Sequence, residues 1–270
     1  MSKPLVIDLF CGLGGWAEGL LAEGYDVIGF DIERHEYGAH RYPGQLVIQD
    51  VLTLRASQFR DAALIVASPP CQEYSYMAMP WSLAKAKAAA IRADTTGKML
   101  ADLNRLFDAC FRIQAQASLA AGRHVPMIVE NVRGAQKWVG RARWNYGSFY
   151  LWGDVPALMP FTRHAKQSIG SWSDYGKADY IPFGFNHEAE KALGGKILGH
   201  LNQRDGHAHT PHLTNPGEHE GVKHHGSGAI WFDTGLASLP SASRRRKAAS
   251  AMIAKIPLPL SRHIAAVFRS

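Results

Sequence analysis

Cysteine is scarce in this chain. Three occur, Cys11, Cys71 and Cys110, and no two form a C-x-x-C. So odd and widely spaced a set argues against a disulfide framework and a cysteine-rich zinc site, and points to a reducing compartment. Long apolar runs are lacking too. From Met1-Ser2-Lys3-Pro4 the chain enters an apolar run too short for a signal peptide or a membrane span, so a cytoplasmic protein with no membrane association is expected. Acidic residues are fewer than basic ones, 23 against 30, giving a net charge of +7 and a pI near 9.4. That excess suits a polyanionic partner if it clusters on one face. Charged residues at 20% and hydrophobic ones at 46% describe an ordinary globular chain, and 270 residues suffice for one large domain or a domain with a small appendage.

What is present begins with short apolar runs that stop at chemically useful residues. Leu5-Val6-Ile7-Asp8-Leu9-Phe10 reads as a strand, Cys11-Gly12-Leu13-Gly14-Gly15 as a glycine-rich turn, and Trp16 to Leu21 as a helix. This is the start of a nucleotide-binding α/β domain, in which glycine lets a ligand approach the backbone. A second strand, Asp26 to Phe30, ends at Asp31, placed to accept from ribose hydroxyls, and a third, Leu46 to Ile48, leads to Asp50. Each carboxylate could instead be a helix N-cap.

Ala62-Ala63-Leu64-Ile65-Val66-Ala67 is a further buried strand, stopped by Pro69-Pro70 with Cys71 directly after. A thiol on a stiff turn at the C-terminal end of a strand is a candidate nucleophile, although a lone cysteine is often only a small core residue. Tyr74 to Gly97 reads as a polar lid-like loop leading into a helix. Met99 to Leu119 has helical spacing that makes Cys110 core. Pro126 to Val129 is another strand, ending in Glu130-Asn131-Val132. From about Thr162 to Ser241 the chain turns rich in Gly, His, Pro and Asn, and order returns over Ala248 to Phe268.

Taken together, Asp8 to Gly15, Pro69-Pro70-Cys71-Gln72 with Ser75, and Glu130-Asn131-Val132 resemble, in order, the cofactor, nucleophile and acid motifs of the DNA (cytosine-5) methyltransferases. Leu106-Phe107 with Arg112-Ile113 resembles the helix behind the cofactor, and Ala254 to Ala265 the terminal motif that folds back onto the first helix. The likeness covers roughly residues 4 to 160 and 244 to 266. It implies a Rossmann-like α/β methyltransferase fold, with residues 1–160 and 244–270 as the catalytic domain and 161–243 as a small target-recognition region.

It also implies the chemistry: methyl transfer from S-adenosylmethionine to C5 of a flipped-out cytosine in double-stranded DNA, through a Cys71–C6 adduct. Glu130 would act at N3 and Asn131 would orient nearby backbone. Phe10, Gly12, Leu13, Gly14 and Pro70 would line the cofactor with Asp8 and Leu106 behind them. Asp31 would take the ribose, Ile32 an adenine face, and Asp50 with Val51 the adenine edge. Gln72 and Ser75 would meet DNA. A bacterial or phage origin, a monomer and a companion restriction endonuclease fit this reading. A transfer-RNA methyltransferase of the same fold is an alternative, although the Cys-Phe-Thr tripeptide of that branch is absent, and a catalytically silent DNA-binding relative is another.

Two departures matter. The family's Gln-x-Arg-x-Arg motif is missing, and Arg141 and Arg143 are its nearest substitutes or simply a solvated pair. Where the family has Gly-Asn in its terminal motif, this chain has Ala254-Lys255. Lys255 either biases the pocket toward a donor carrying an extra carboxylate on the transferred group or points outward to solvent. Arg244, Arg245 and Arg246, with Lys247, are candidate phosphate contacts or an ordinary charged face. Seven histidines between His200 and His225 have no ligand-like spacing, so no metal is expected.

Overall fold

A computed structural model describes residues 2–75, 81–159 and 243–269. The chain divides into two compact units, Met1–Pro160 with Lys255–Ser270, and Phe161–Ala254. The second unit takes in residues 244–254, which the sequence reading groups with the catalytic part.

The first unit is a Rossmann-like α/β fold. Its sheet has seven strands: β1 (Leu5–Leu9), β2 (Asp26–Asp31), β5 (Gln45–Ile48), β6 (Ala62–Ala67), β7 (Met127–Asn131), β8 (Trp144–Tyr146) and β9 (Phe149–Gly153). Their order is β5-β2-β1-β6-β7-β9-β8. The first five are parallel, and β9 and β8 add antiparallel at one end. Parallel strands covered on both faces must be apolar along their length, which is why these runs could be read directly. A small hairpin, β3 (Glu36–Tyr37) with β4 (His40–Arg41), projects between β2 and β5.

Side-chain alternation sends the central strands into two cores. Ile7, Leu9, Ile65, Met127 and Val129 face α3 (Lys98–Ala121), meeting Phe107, Cys110 and Ile113. Val6, Leu64, Val66 and Ile128 face α1 (Gly15–Ala22) and the last helix, α6 (Leu258–Phe268), meeting Trp16, Leu20, Leu260 and Ile264. The terminal motif does fold back onto the first helix. Ser261 Oγ donates to the Trp16 carbonyl at 2.5 Å, Tyr25 Oη to the Ala265 carbonyl at 3.0 Å, and Arg262 pairs with Glu23.

Three segments depart from the sequence reading. Much of the expected lid loop is helix, α2 (Trp81–Ala93), with Ala84, Ala88 and Ile91 buried along one side. Trp144–Gly153, for which the sequence reading names no element, is a hairpin of the main sheet around Gly147-Ser148. The charged run at 244 opens a further helix, α5 (Arg244–Ala254), within the second unit. A short α4 (Gln136–Val139) follows β7.

Candidate active site

In an open parallel sheet, ligands gather at the C-terminal strand edge where the strand order reverses. Here the chain runs outward from β1 through β2 to β5 and then returns to the other side of β1 at β6. The reversal therefore lies between β1 and β6, and Asp8 to Gly15, Asp31, Asp50, Cys71 and Glu130 all sit at or just beyond the C-terminal ends of these strands.

The glycine-rich turn is shaped for close approach. Phe10 holds a left-handed φ of 56°, a conformation that side chains rarely adopt and that clusters at functional sites. Gly12 has φ 50°, and a Cβ built there meets nothing within 4 Å, leaving open space over the backbone. Gly14 has φ 78°, and a Cβ would lie 2.4 Å from Pro43 Cδ, so the segment after β4 packs directly on the turn. Leu13 is buried, as is Cys11, whose thiol is pushed up first by burial and then by Asp8 and Asp31. That excludes Cys11 as a ready nucleophile.

Asp31 is held in place by the turn it faces. Its Oδ2 accepts from the Gly12 amide at 2.9 Å, and its Oδ1 accepts from the Glu33 amide at 3.3 Å and lies 3.6 Å from His35 Nε2. Burial raises its pKa, but hydrogen bonds from His35, Gly12 and Glu33 outweigh burial and hold the carboxyl below its usual value. The result is a fixed carboxylate suited to accepting hydroxyl donors. Ile32 beside it is 69% exposed, an apolar face open to a ring.

Asp50 does cap a helix: its Oδ1 accepts from the Leu52 amide at 2.9 Å at the start of a short 3-10 turn. Val51 has its side chain fully in the core, so only its backbone can face a ligand. Leu106 is half-buried on α3.

The Cys71 turn is fastened from several sides. Ser68 accepts from Trp16 Nε1 at 3.0 Å, and its amide donates to the Leu9 carbonyl. Asn131 Nδ2 donates to the Pro69 carbonyl at 2.9 Å, while Asn131 Oδ1 accepts from the Val132 amide. Beyond the thiol, the amides of Tyr74 and Ser75 both donate to the Cys71 carbonyl. Cys71 is the partly exposed cysteine of the three, whereas Cys11 and Cys110 are buried. Glu130, 4% exposed, lies one residue before Asn131 on β7, the strand next to β6. Structure therefore brings the predicted thiol and acid to neighbouring strand ends, with Asn131 bridging them.

Other predicted residues stand apart or elsewhere. Pro70, Gln72, Arg141 and Arg143 are exposed, the two arginines on the approach to β8. Arg244 is exposed at the start of α5, and the side chains of Arg245 and Arg246 lie outside the described residues, as do the histidines between His200 and His225. Among the described residues no group of acidic, cysteine or histidine side chains could hold a metal, and no helix is long and apolar enough to cross a membrane.

Lys255 corrects one expectation. It does not reach outward to solvent: the residue is 7% exposed and its Nζ donates to Glu18 Oε1 at 2.7 Å. Its Cγ lies 2.9 Å from where a Cβ on Gly15 would sit, at the very start of α1. Sequence reasoning also missed Tyr42, whose hydroxyl donates to Asp8 Oδ2 at 3.2 Å, and Asn104, which is bound to Tyr74.

Residues 5–107 match the model of the C-5 cytosine-specific DNA methylase family, a stretch containing the glycine-rich turn, Asp31, Asp50 and the Cys71 turn and ending before Glu130. That is a methyltransferase family whose methyl donor is S-adenosylmethionine. No curated protein matches the chain. Among the solved structures similar to it are three methyltransferases. A prophage-encoded E. coli protein assigned as a DNA modification methyltransferase is 24% identical, with 49% of this chain and 33% of that one covered and a TM-score of 0.32. The S. pombe Dnmt2 methyltransferase is 17% identical, with 52% and 37% covered and a TM-score of 0.31. The Entamoeba histolytica methyltransferase EhMeth is 17% identical, with 52% and 41% covered and a TM-score of 0.31. The alignments thus span well under two thirds of each of those structures.

Proposed function

We propose that this chain is a DNA cytosine-C5 methyltransferase, with Cys71 as nucleophile and Glu130 as the acid at the ring. The observation that carries this reading is the hydrogen bond from Asn131 to the Pro69 carbonyl. It fixes the thiol-bearing turn against the strand that carries the carboxyl, which is the pairing that attack on one ring requires.

The chemistry calls for that pairing. Cytosine C5 is a poor nucleophile until the Cys71 thiolate adds to C6, forming a carbon–sulfur bond and moving electrons into the ring. Glu130, as a carboxylic acid, donates at N3 and offsets the charge that develops there. S-adenosylmethionine, when bound, supplies an electrophilic methyl group to C5. A base then removes the C5 proton, the carbon–sulfur bond breaks, and the thiolate is restored. The open backbone at Gly12, the fixed Asp31 carboxylate and the exposed Ile32 fit a nucleoside-bearing donor. In a duplex, C6 is unreachable until the base leaves the stack, at a cost of a few kcal/mol. Gln72, exposed beside the thiol, is the group assigned to the vacated space, and residues 161–243, which fall in the second unit, are assigned to target recognition.

The test is covalent trapping. Duplex DNA carrying 5-fluorocytosine, incubated with the donor, is expected to form a stable adduct at Cys71, and Cys71→Ser is expected to form none. Transfer RNA run in parallel separates the two substrates. An adduct on RNA alone would overturn the DNA assignment, and wild type trapping nothing on either would overturn the enzyme.

Lys255 supports a second reading of the donor. Its ammonium is held in a buried ion pair with Glu18 rather than in solvent, with the Cγ of its stem against the start of α1 at Gly15. Charge pairing in such a position is stronger than in water. In competition between ordinary and carboxylated S-adenosylmethionine, wild type is expected to favour the carboxylated donor and Lys255→Asn the ordinary one. Equal preference in the two proteins would end this reading.

A further inference from the structure

We propose that Asn104 is a positioning residue for the Cys71 turn, acting through Tyr74 on the side opposite Asn131. The inference rests on the reading of Cys71 as nucleophile. Asparagine is a poor helix former because its amide competes for backbone hydrogen bonds, and Asn104 is in α3 at 7% exposure. A buried amide left unsatisfied costs about 1–3 kcal/mol, so its place there needs partners on both ends of the side chain.

It has them. The Trp138 carbonyl can only accept, so Asn104 Nδ2 faces it, at 2.9 Å. That leaves Oδ1 to accept from Tyr74 Oη at 3.1 Å, with the Leu103 carbonyl also within 3.2 Å of the hydroxyl. Tyr74 is 4% exposed, and its own amide donates to the Cys71 carbonyl at 3.0 Å. Trp138 lies in α4, shortly after Asn131 in the chain, and Asn131 holds the Pro69 carbonyl. The links close into a ring that runs from the thiol turn through Tyr74, Asn104 and Trp138 to β7 and back through Asn131. Asn104 touches no reacting atom. Its part is to set where the turn presents its thiol, and displacement of a reacting group by about 1 Å can cost roughly a hundredfold in rate.

Three variants separate the links. Asn104→Leu removes both at similar volume, Asn104→Asp keeps the acceptor for Tyr74 but turns an oxygen on the Trp138 carbonyl, and Tyr74→Phe removes a single hydroxyl. Two readouts are taken on the full chain: the single-turnover rate of adduct formation with 5-fluorocytosine DNA, and the pH profile of native-state alkylation of Cys71 by iodoacetamide, located by mass spectrometry. Cys11 and Cys110 are buried with their thiols pushed up by burial, so they stay unlabelled while the fold is intact. Asn104→Leu and Tyr74→Phe are expected to slow adduct formation at least tenfold with donor affinity unchanged. Both are expected to shift the Cys71 alkylation profile, and the double variant to be no slower than the slower single one, because the two act as a unit. Folded variants with both readouts within twofold of wild type would overturn the inference. If wild type itself traps no DNA, the functional reading fails on that result and the alkylation profiles alone decide the positioning. If Asn104→Leu does not fold, Tyr74→Phe decides it.

Discussion

At the scale of single residues, two carboxyls on adjacent strands are set to titrate in opposite directions. Asp8 is fully buried on β1, with Oδ2 accepting from Tyr42 and Oδ1 without a hydrogen-bond partner among the described residues. Burial drives its pKa well up, the Tyr42 hydrogen bond opposes the rise, and the Asp31 charge adds to it. A carboxyl raised in the folded state holds its proton where the unfolded chain has lost it, so stability falls as pH rises from about 4 through the raised value. Asp31 is depressed, so the stability it contributes is present above its ordinary value and disappears as pH falls through the lowered one. Urea unfolding of the unliganded chain from acid to mildly alkaline pH checks both. Asp8→Asn is expected to gain on wild type as pH rises, and Asp31→Asn to lose at neutral pH and converge with wild type in acid. Parallel pH curves would refute the assignment. Asp8 and Asp31 were legible in sequence as strand-end acids, but their different states were not. These depend on Tyr42, 34 residues from Asp8, and on His35 folding back, neither of which a local pattern reveals.

At the scale of elements, legibility tracked how local the cause of each element is. β1, β2, β6, β7 and α3 declare themselves by apolar periodicity. For α2, an alanine- and lysine-rich stretch with high helix propensity, its polarity invited a loop reading, although Ala84, Ala88 and Ile91 mark a buried face. The β8–β9 hairpin carried a signal too, since Gly147-Ser148 between aromatic runs is a two-residue turn. Packing of α6 on α1 shows what sequence alone gives least, the close approach of distant segments. Gly19 lies inside α1, where alanine would normally stabilise the helix by about 0.5–1 kcal/mol. A Cβ there would sit 2.3 Å from Ser261 Oγ and 2.6 Å from the Arg262 backbone nitrogen. The backbone of α6 cannot swing away as a flexible side chain would, so overpacking wins, typically at about 1–3 kcal/mol. Gly19→Ala is therefore expected to lower the urea midpoint, and an unchanged or raised midpoint would show that the two helices separate easily.

For the whole molecule, the reversal of strand order at β1 and β6 gathers five separate strand ends at one edge, which is why motifs far apart in sequence were readable as one site. The chain's excess charge is organised differently. The second unit, Phe161–Ala254, holds eleven Lys and Arg against eight Asp and Glu, and four of the eleven are Arg244 to Lys247. Its basic balance thus rests on one run, which forms the first turn of α5 with no acidic residue there. Cations at that end oppose the helix dipole, typically by about 0.3–1 kcal/mol each, so the run is locally unfavourable for the free helix. An external polyanion would reverse that balance, because each phosphate neutralised on duplex DNA releases condensed counterions. Binding of non-target duplex at several salt concentrations measures this directly. Replacing Arg244, Arg245 and Arg246 together with Ala is expected to flatten the slope of log affinity against log salt by about 0.9 for each phosphate no longer neutralised, without changing which sequences are preferred. The same variant should leave Cys71 alkylation as in wild type, since the change is in the grip on the polyanion. An unaltered slope would make the run an ordinary solvated helix end and leave Arg141 and Arg143 as the remaining candidate phosphate contacts.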